Sequence, residues 1–186
     1  MTIAVRGPLG HFSSSYLKFV LTIVVLTTNL PAVTLKDEIK QTAPMSGQVE
    51  AYLNTLRTAD WLMRGVVEVL KPHDLSPTQY NVLRILRGAS CDGHRCGEIS
   101  ERLVTRDPDI TRLLDRLERR GLITRGRSAT DRRVVFTRIT QAGLDLLDEL
   151  DGPIAAVHEQ QFARLDRDQL ATLSRLLELV REECSQ

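Results

Sequence analysis

A chain of 186 residues, 42% of them apolar, is long enough for one domain or a domain with an extension, and has the material for a core. Aromatic residues make up only 4% while leucine and valine are plentiful, so the core is expected to be helical and aliphatic. A net charge of +1 excludes a uniformly basic or acidic chain, and three cysteines exclude an even disulfide framework. Cys91, Cys96 and Cys184 are therefore expected as free thiols. There is no nucleophile elbow, phosphate loop or dinucleotide fingerprint, and His11, His73, His94 and His158 stand apart from any triad-like arrangement. An enzyme is not expected.

Residues 1–33 differ from the rest. Arg6 and Lys18 precede the apolar run Phe19–Leu26, a combination resembling a secretory signal, but no Ala-x-Ala cleavage site follows. The run is far shorter than the ~20 apolar residues that span a bilayer. The expectation is translated sequence upstream of the real start; an added helix or arm packing on a dimer, and a membrane anchor, are the alternatives. Thr34 to Ser46 reads as a polar arm leading through Pro44.

From Val49 the apolar residues Val49, Tyr52, Leu56, Ala59, Met63, Val66 and Leu70 step by three and four, which predicts a long helix stopped by Pro72. Leu75-Ser76-Pro77-Thr78-Gln79-Tyr80 is a compact helix start, with Ser76 as cap, Pro77 at the first position and Gln79 closing a capping box. That helix runs to Arg87 and buries Val82, Leu83, Ile85 and Leu86; Gly88 to Arg95 is read as a loop.

A short helix from Gly97 to Leu103 follows, burying Ile99 and Leu103, and Val104-Thr105-Arg106 allows only a sharp corner. Asp107 is expected to cap the next helix, with Pro108 at its first position and Asp109 complementing the dipole. Ile110, Leu113, Leu114 and Leu117 share an inward face; Asp109, Arg112, Asp115, Arg116 and Arg119 remain outside, and Gly121 ends the helix. Pairing of Arg112, Arg116 and Arg119 with Asp109, Asp115 and Glu118 as an ordinary solvated face is the alternative.

Leu122–Thr124 and Val134–Thr137 read as two strands, and the tip between them, Arg125 to Arg133, is small, polar and basic. Four arginines with one aspartate make sense beside phosphates, the more so at a narrow minor groove. From Arg95 to Arg138 there are 12 Lys+Arg against 7 Asp+Glu, a net of +5, so the near-neutral total hides a basic segment.

Past this hairpin Thr140 caps a helix carrying Leu144, Leu147 and Leu150, with a break or bend expected at Gly152-Pro153 before Ile154, Val157 and Phe162. Asp166 with Gln169 starts the last helix, whose Leu170, Leu173, Leu177, Val180 and Cys184 repeat the seam of the Val49 helix. Two seams, one at each end, point to a helical homodimer, whose reading helices would stand about one DNA turn, ~34 Å, apart on a palindromic site.

Ile99-Ser100-Glu101-Arg102-Leu103, the run from Ile110 to Ile123, and Asp131-Arg132-Arg133 continuing to Arg138-Ile139-Thr140 together resemble the MarR family of bacterial transcriptional regulators, over about Val49 to Cys184. The resemblance implies a mainly α fold with a small β-hairpin wing, a winged helix-turn-helix inserted in a helical dimerisation platform. Its implied segments are 1–33 as the apolar extension, 34–74 as arm and first dimerisation helix, 75–140 as the DNA-binding domain and 141–186 as C-terminal dimerisation helices. By that resemblance Thr111 and Arg112 would approach base edges, Arg116 a phosphate, and Arg133, held by Asp131, the minor groove; on the residues' own charge and placement Arg106 and Arg127 are added as phosphate contacts and Arg132 as a further DNA contact. Asp109 departs from the pattern, since many relatives carry a small hydroxyl residue there; a carboxylate must avoid the backbone or accept from a cytosine amino group.

The implied function is that of a cytoplasmic regulator, a repressor released from its operator by a small molecule, with no stable membrane association and no cofactor. In this family an effector typically binds between platform and winged domain; Tyr52, Trp61, Met63, His73 and Tyr80 are the residues best able to line such a pocket, or else are plain interface packing. Cys91-Asp92-Gly93-His94-Arg95-Cys96 raises a metal site, at odds with the usual four-ligand spacings. Cys96 near a helix N-terminus raises a redox-sensing thiol. A metal- or redox-responsive regulator, or a protein-interaction winged helix that binds no DNA, are the rival readings.

Overall fold

The computed structural model describes residues 33–89, 93–105, 109–127 and 134–182. Its elements are α1 (Leu35–Glu38), α2 (Gly47–Leu70), a 3-10 turn (Lys71–His73), α3 (Pro77–Arg87), β1 (His94–Arg95), α4 (Cys96–Arg102), α5 (Ile110–Arg119), β2 (Ile123–Arg127), β3 (Val135–Ile139), α6 (Gln141–Gln161) and α7 (Arg167–Arg181). The fold is mainly α, with a small antiparallel sheet ordered β1-β3-β2. Among the described residues no helix is long and apolar enough to cross a membrane. Arg106 to Pro108, Ser128 to Arg133, Cys91, Asp92 and Cys184 lie outside the described residues, as does everything before Ala32 and that residue itself.

The chain divides within α2 into two units, Met1–Leu56 and Arg57–Gln186. In the first, the expected polar arm contains the turn of helix α1. Thr34 makes it: the hydroxyl accepts from Asp37 N at 3.4 Å while the Asp37 carboxylate accepts from Thr34 N at 3.1 Å. Reciprocal capping satisfies two otherwise orphaned donors, which lets even four residues hold a helix with Leu35 buried. Ser46 in turn accepts from Val49 N at the start of α2.

In the second unit the strongest local signals act as the sequence predicts. Ser76 Oγ accepts from Gln79 N at 3.2 Å and Gln79 Oε1 accepts from Ser76 N at 2.9 Å, with Pro77 opening α3. Asp166 and Gln169 repeat the device at α7. Val82, Leu83, Leu86, Ile99, Leu114, Leu117, Ile123, Leu147 and Leu150 then form one aliphatic core, each almost wholly excluded from solvent. Ile85 and Ile110, expected in this core, pack at its margin.

Two expectations need correction. The segment read as a loop up to Arg95 ends in β1: His94 pairs with Thr137 and Arg95 with Phe136, adding an edge strand to the hairpin. Gly93 admits this pairing because its φ is +78° and a side chain there would collide with the Thr137 carbonyl. Secondly, α6 does not break at Gly152-Pro153 but continues to Gln161. Proline forfeits one helix hydrogen bond, but Leu150 and Ile154 on either side are both buried, and their packing carries the helix through.

Three close contacts fix the lobe. Gly65 lets α2 approach α6, where Gln161 Nε2 donates to Leu62 O at 2.9 Å; a Cβ on Gly65 would meet Val157 and Gln161. Arg87 on α3 forms a two-pronged pair with Asp151 on α6, at 2.7 and 3.0 Å, which holds the Asp151 carboxyl below the usual carboxylate range. Asn81 Oδ1 accepts from Val104 N at 3.0 Å, pinning the corner between α4 and α5.

Candidate DNA-binding face

Helix α5 has a buried side, Leu113, Leu114 and Leu117, and an exposed side carrying Thr111, Arg112, Arg116 and Arg119. Its cap is Asp109, not Asp107: the Asp109 carboxylate accepts from Arg112 N at 3.4 Å, and the helix begins at Ile110. Asp107 and Pro108 fall outside the described residues. The same carboxylate lies 3.2 Å from Arg112 Nε. The acid that stood out in the sequence is thus engaged by the helix start and by its neighbouring arginine, which removes the repulsion it would otherwise offer a phosphate.

The other two acids of α5 are engaged from outside the helix. Arg125, in β2, donates from Nε to Glu118 Oε2 at 2.8 Å and from Nη2 to both Glu118 and Asp115, and its backbone N–H donates to Glu118 Oε1 at 3.1 Å. Hydrogen bonding to Arg125 lowers the Glu118 pKa, and hydrogen bonding to Glu118 raises that of Arg125. From the sequence Arg125 is expected beside phosphates with the tip arginines. The structure corrects this, because the hairpin folds its first strand against α5 and delivers Arg125 to the two carboxylates.

Of the solvated-face pairings considered above, only Arg112 with Asp109 is present; Arg119 Nε donates to the Asp115 carbonyl at 3.3 Å. No carboxylate among the described residues pairs with Arg116, Arg119 or Arg127. Arg127 is exposed at the last position of β2, where the wing tip begins. Arg106, Asp131, Arg132 and Arg133, the remaining expected contacts, lie outside the described residues. The result is an exposed cationic helix face, cleared of uncompensated acid, beside a basic hairpin.

The C-terminal end of α5 is also fixed. Gly121 takes φ +70°, Gly121 N donates to Glu118 O and Leu122 N to Leu117 O, which turns the chain into β2. Thr140 Oγ1 donates to Gly121 O at 2.7 Å, and Arg120 donates to His73 O and Asp74 O at 2.8 and 2.6 Å. Sequence reasoning missed Arg120, whose backbone acceptors leave no trace in residue identity.

Residues 75–135 match the model of the MarR family. A MarR transcription factor from Planctomyces limnophilus is 43% identical, with 74% of this chain and 99% of that one covered at a TM-score of 0.57. The chain belongs to the MarR family. The homoprotocatechuate degradative operon repressor of Escherichia coli is 29% identical over 59% of this chain and 73% of its own length. A mutant E. coli MarR complexed with operator DNA is 25% identical, with 75% and 100% covered and a TM-score of 0.66. MarR-family proteins are transcriptional regulators and not enzymes, and this chain is a DNA-binding regulator on that winged-helix fold.

The residues expected to line an effector pocket in this MarR-family chain are scattered in character. Tyr52, Trp61 and Met63 are exposed on α2 and His73 is half-buried in the 3-10 turn. Tyr80 belongs to the core, its hydroxyl accepting from Arg84 Nη1 at 3.2 Å under the Arg84 guanidinium. A cleft of about 730 Å³ does open beside α5, walled by Leu75 and Pro77 and by Lys71, Arg116, Arg119 and Arg120, and it includes none of those five.

The metal reading also loses its imidazole. His94 is buried, with Nε2 2.8 Å from Arg102 Nη1 and Nδ1 3.4 Å from Glu98 Oε2. A guanidinium only donates, so Nε2 accepts and has no lone pair left for a cation. No group of three metal-binding side chains occurs among the described residues. Cys96 is a free thiol, half-buried and packed against the core at the start of α4; Cys91 and Asp92 lie outside the described residues.

Proposed function

We propose that this regulator is a cytoplasmic repressor that binds a palindromic operator as a homodimer and is released by a small molecule. The observation that carries the reading is the face of α5. Its leucines are consumed by the core, its acids by a cap and by Arg125, and Thr111, Arg112, Arg116 and Arg119 are left facing solvent. In this reading Thr111 and Arg112 read base edges, Arg106, Arg116 and Arg127 meet phosphates, and the Asp131–Arg133 tip enters the minor groove. Residues 75–140 are the reading head; 34–74 and 141–186 are the platform.

The dimer is supported by the apolar seams the chain leaves uncovered. Leu56 and Met63 on α2 and Leu177 and Val180 on α7 are all exposed in the single chain. The E. coli relative named an operon repressor and the MarR bound to operator DNA support repression at an operator. The cleft supports release: an occupant would lie against Arg116 and Arg119 of the reading helix. The test is fluorescence anisotropy of the full chain on a duplex selected by the protein from a random library, at several salt concentrations. Arg116→Ala is expected to weaken selected and random duplexes alike and, with one Arg116 lost from each of two protomers, to reduce the salt slope by about 2. A slope near zero for the unmodified chain would overturn the reading in favour of a protein-interaction module.

A further inference from the structure

Arg120, at the end of α5, directs its guanidinium to the backbone of another element. It follows the last residue of the helix, and its side chain reaches a segment 46 and 47 residues earlier, donating Nη1 to Asp74 O at 2.6 Å and Nη2 to His73 O at 2.8 Å. Those carbonyls sit where α2 gives way to α3. Lys71–His73 is a single 3-10 turn, Asp74 takes φ +50° and ψ +42°, and Leu75 N closes back on Leu70 O at 3.3 Å. A non-glycine residue in the left-handed region holds its carbonyl in a direction that ordinary helix or strand would not give.

A guanidinium is a rigid planar fork, so two parallel bonds to consecutive carbonyls fix both the distance and the rotation between its helix and theirs. A lysine ammonium would keep the charge and lose the second prong. Arg120 is immediately followed by Gly121, the turn into β2, and preceded by Arg119 and Arg116 on the exposed face. The fork thus ties the junction at His73-Asp74 to the C-terminal end of α5, whose Leu114 and Leu117 are held in the core.

We propose that Arg120 is a positioning residue that sets the reading helix against the end of α2, and so passes the geometry of the platform helix to the DNA-binding face without itself touching DNA. The proposal rests on the DNA-binding, dimeric reading above. It predicts a division of effects that a phosphate contact or a merely structural residue would not produce. Loss of the fork should blur base reading, which needs the helix in one setting, and spare binding to random sequence, which needs only the charge.

The experiment compares the unmodified full chain, Arg120→Lys and Arg120→Gln on the selected duplex and on random duplex, with anisotropy across salt and sedimentation and thermal melting as controls. The expected result for Arg120→Lys is a fall of about tenfold in affinity for the selected duplex, with random-duplex affinity and salt slope unchanged and the dimer intact. Arg120→Gln should fall as far on the selected duplex. Arg120→Lys binding the selected duplex as the unmodified chain does, with Arg120→Gln losing about two units of salt slope, one per protomer, would make Arg120 a phosphate contact and overturn the proposal. Should Arg120→Lys melt well below the unmodified chain, Asp74→Val strains the same carbonyls from the other side; an unchanged preference for the selected duplex there would also overturn it. If the unmodified chain shows no salt-dependent binding at all, it is the DNA-binding reading that fails and not the role of Arg120 within it.

Discussion

The winged lobe and the seams of α2 and α7 treat their apolar residues in opposite ways. On α3, α4 and α5 of the lobe Leu83, Ile99, Leu114 and Leu117 are all fully buried, whereas on α7 Leu177 is 37% and Val180 84% exposed, and on α2 Leu56 is 51% and Met63 42% exposed. Both sets follow helical periodicity in the sequence equally well. The difference teaches that periodicity locates an apolar face and is silent on what covers it: within one copy of the chain the apolar faces of α3, α4 and α5 are covered, and the seams of α2 and α7 are left exposed. Exposed apolar residues in a contiguous stripe, unlike scattered ones, mark an association surface.

The largest effect expected from this contrast is at the head. Leu117→Ala removes a fully buried side chain from the middle of α5 and is expected to cost about 2–5 kcal/mol in chemical denaturation. A cost under about 1 kcal/mol would mean that the lobe is no better packed than the stripes. Leu177→Asp is expected to do the reverse, abolishing the dimer in sedimentation at micromolar concentration while changing the unfolding free energy of the single chain by no more than about 0.5 kcal/mol.

The smallest expected effect is acid dependence. Arg125 depresses the Glu118 carboxyl and Arg87 the Asp151 carboxyl, and a carboxylate with a lowered folded pKa lends stability above its unfolded pKa and loses it as pH falls through the folded value. The lobe should therefore lose stability on acidification below the ordinary range of Glu and Asp, and Arg125→Ala should flatten part of that dependence. Denaturation curves across that pH range measure it; an unchanged profile in Arg125→Ala would mean that the bridge to α5 contributes nothing in solution.

What the sequence discloses is what neighbours in sequence decide. The capping boxes at Ser76 and Asp166, the left-handed turn at Gly121 and the stop before Pro72 each involve residues within about one helical turn, and each is where the pattern places it. Asp107-Pro108-Asp109 offers two carboxylates around a proline, and preference for proline at the first helical position selects the wrong one by two residues. The continuity of α6 through Pro153 depends on burial of Leu150 and Ile154, which outweighs a local breaker. β1 has only two residues, too few for alternation to register, and is created by a partner strand more than forty residues later.

The candidate site divides the same way. Thr111, Arg112 and Arg116 are legible because an amphipathic helix must leave them outside. Arg125 and Arg120 are not, since nothing in their own neighbourhood distinguishes them from arginines that face solvent. Folding of the hairpin assigns Arg125 to Glu118 and Asp115, and folding of α5 against the end of α2 assigns Arg120 to two carbonyls. The five arginines from Arg112 to Arg125 thus separate into Arg112, Arg116 and Arg119 on the exposed face of α5, and Arg120 and Arg125, which tie that helix to the His73-Asp74 junction and to β2.

The most direct test of the whole account is the mass and symmetry of the complex on the selected duplex, read by sedimentation together with footprinting. The account predicts two chains per duplex, protecting two inverted half-sites whose centres lie about one helical turn, ~34 Å, apart. One chain per duplex, or protection without two-fold symmetry, would contradict it.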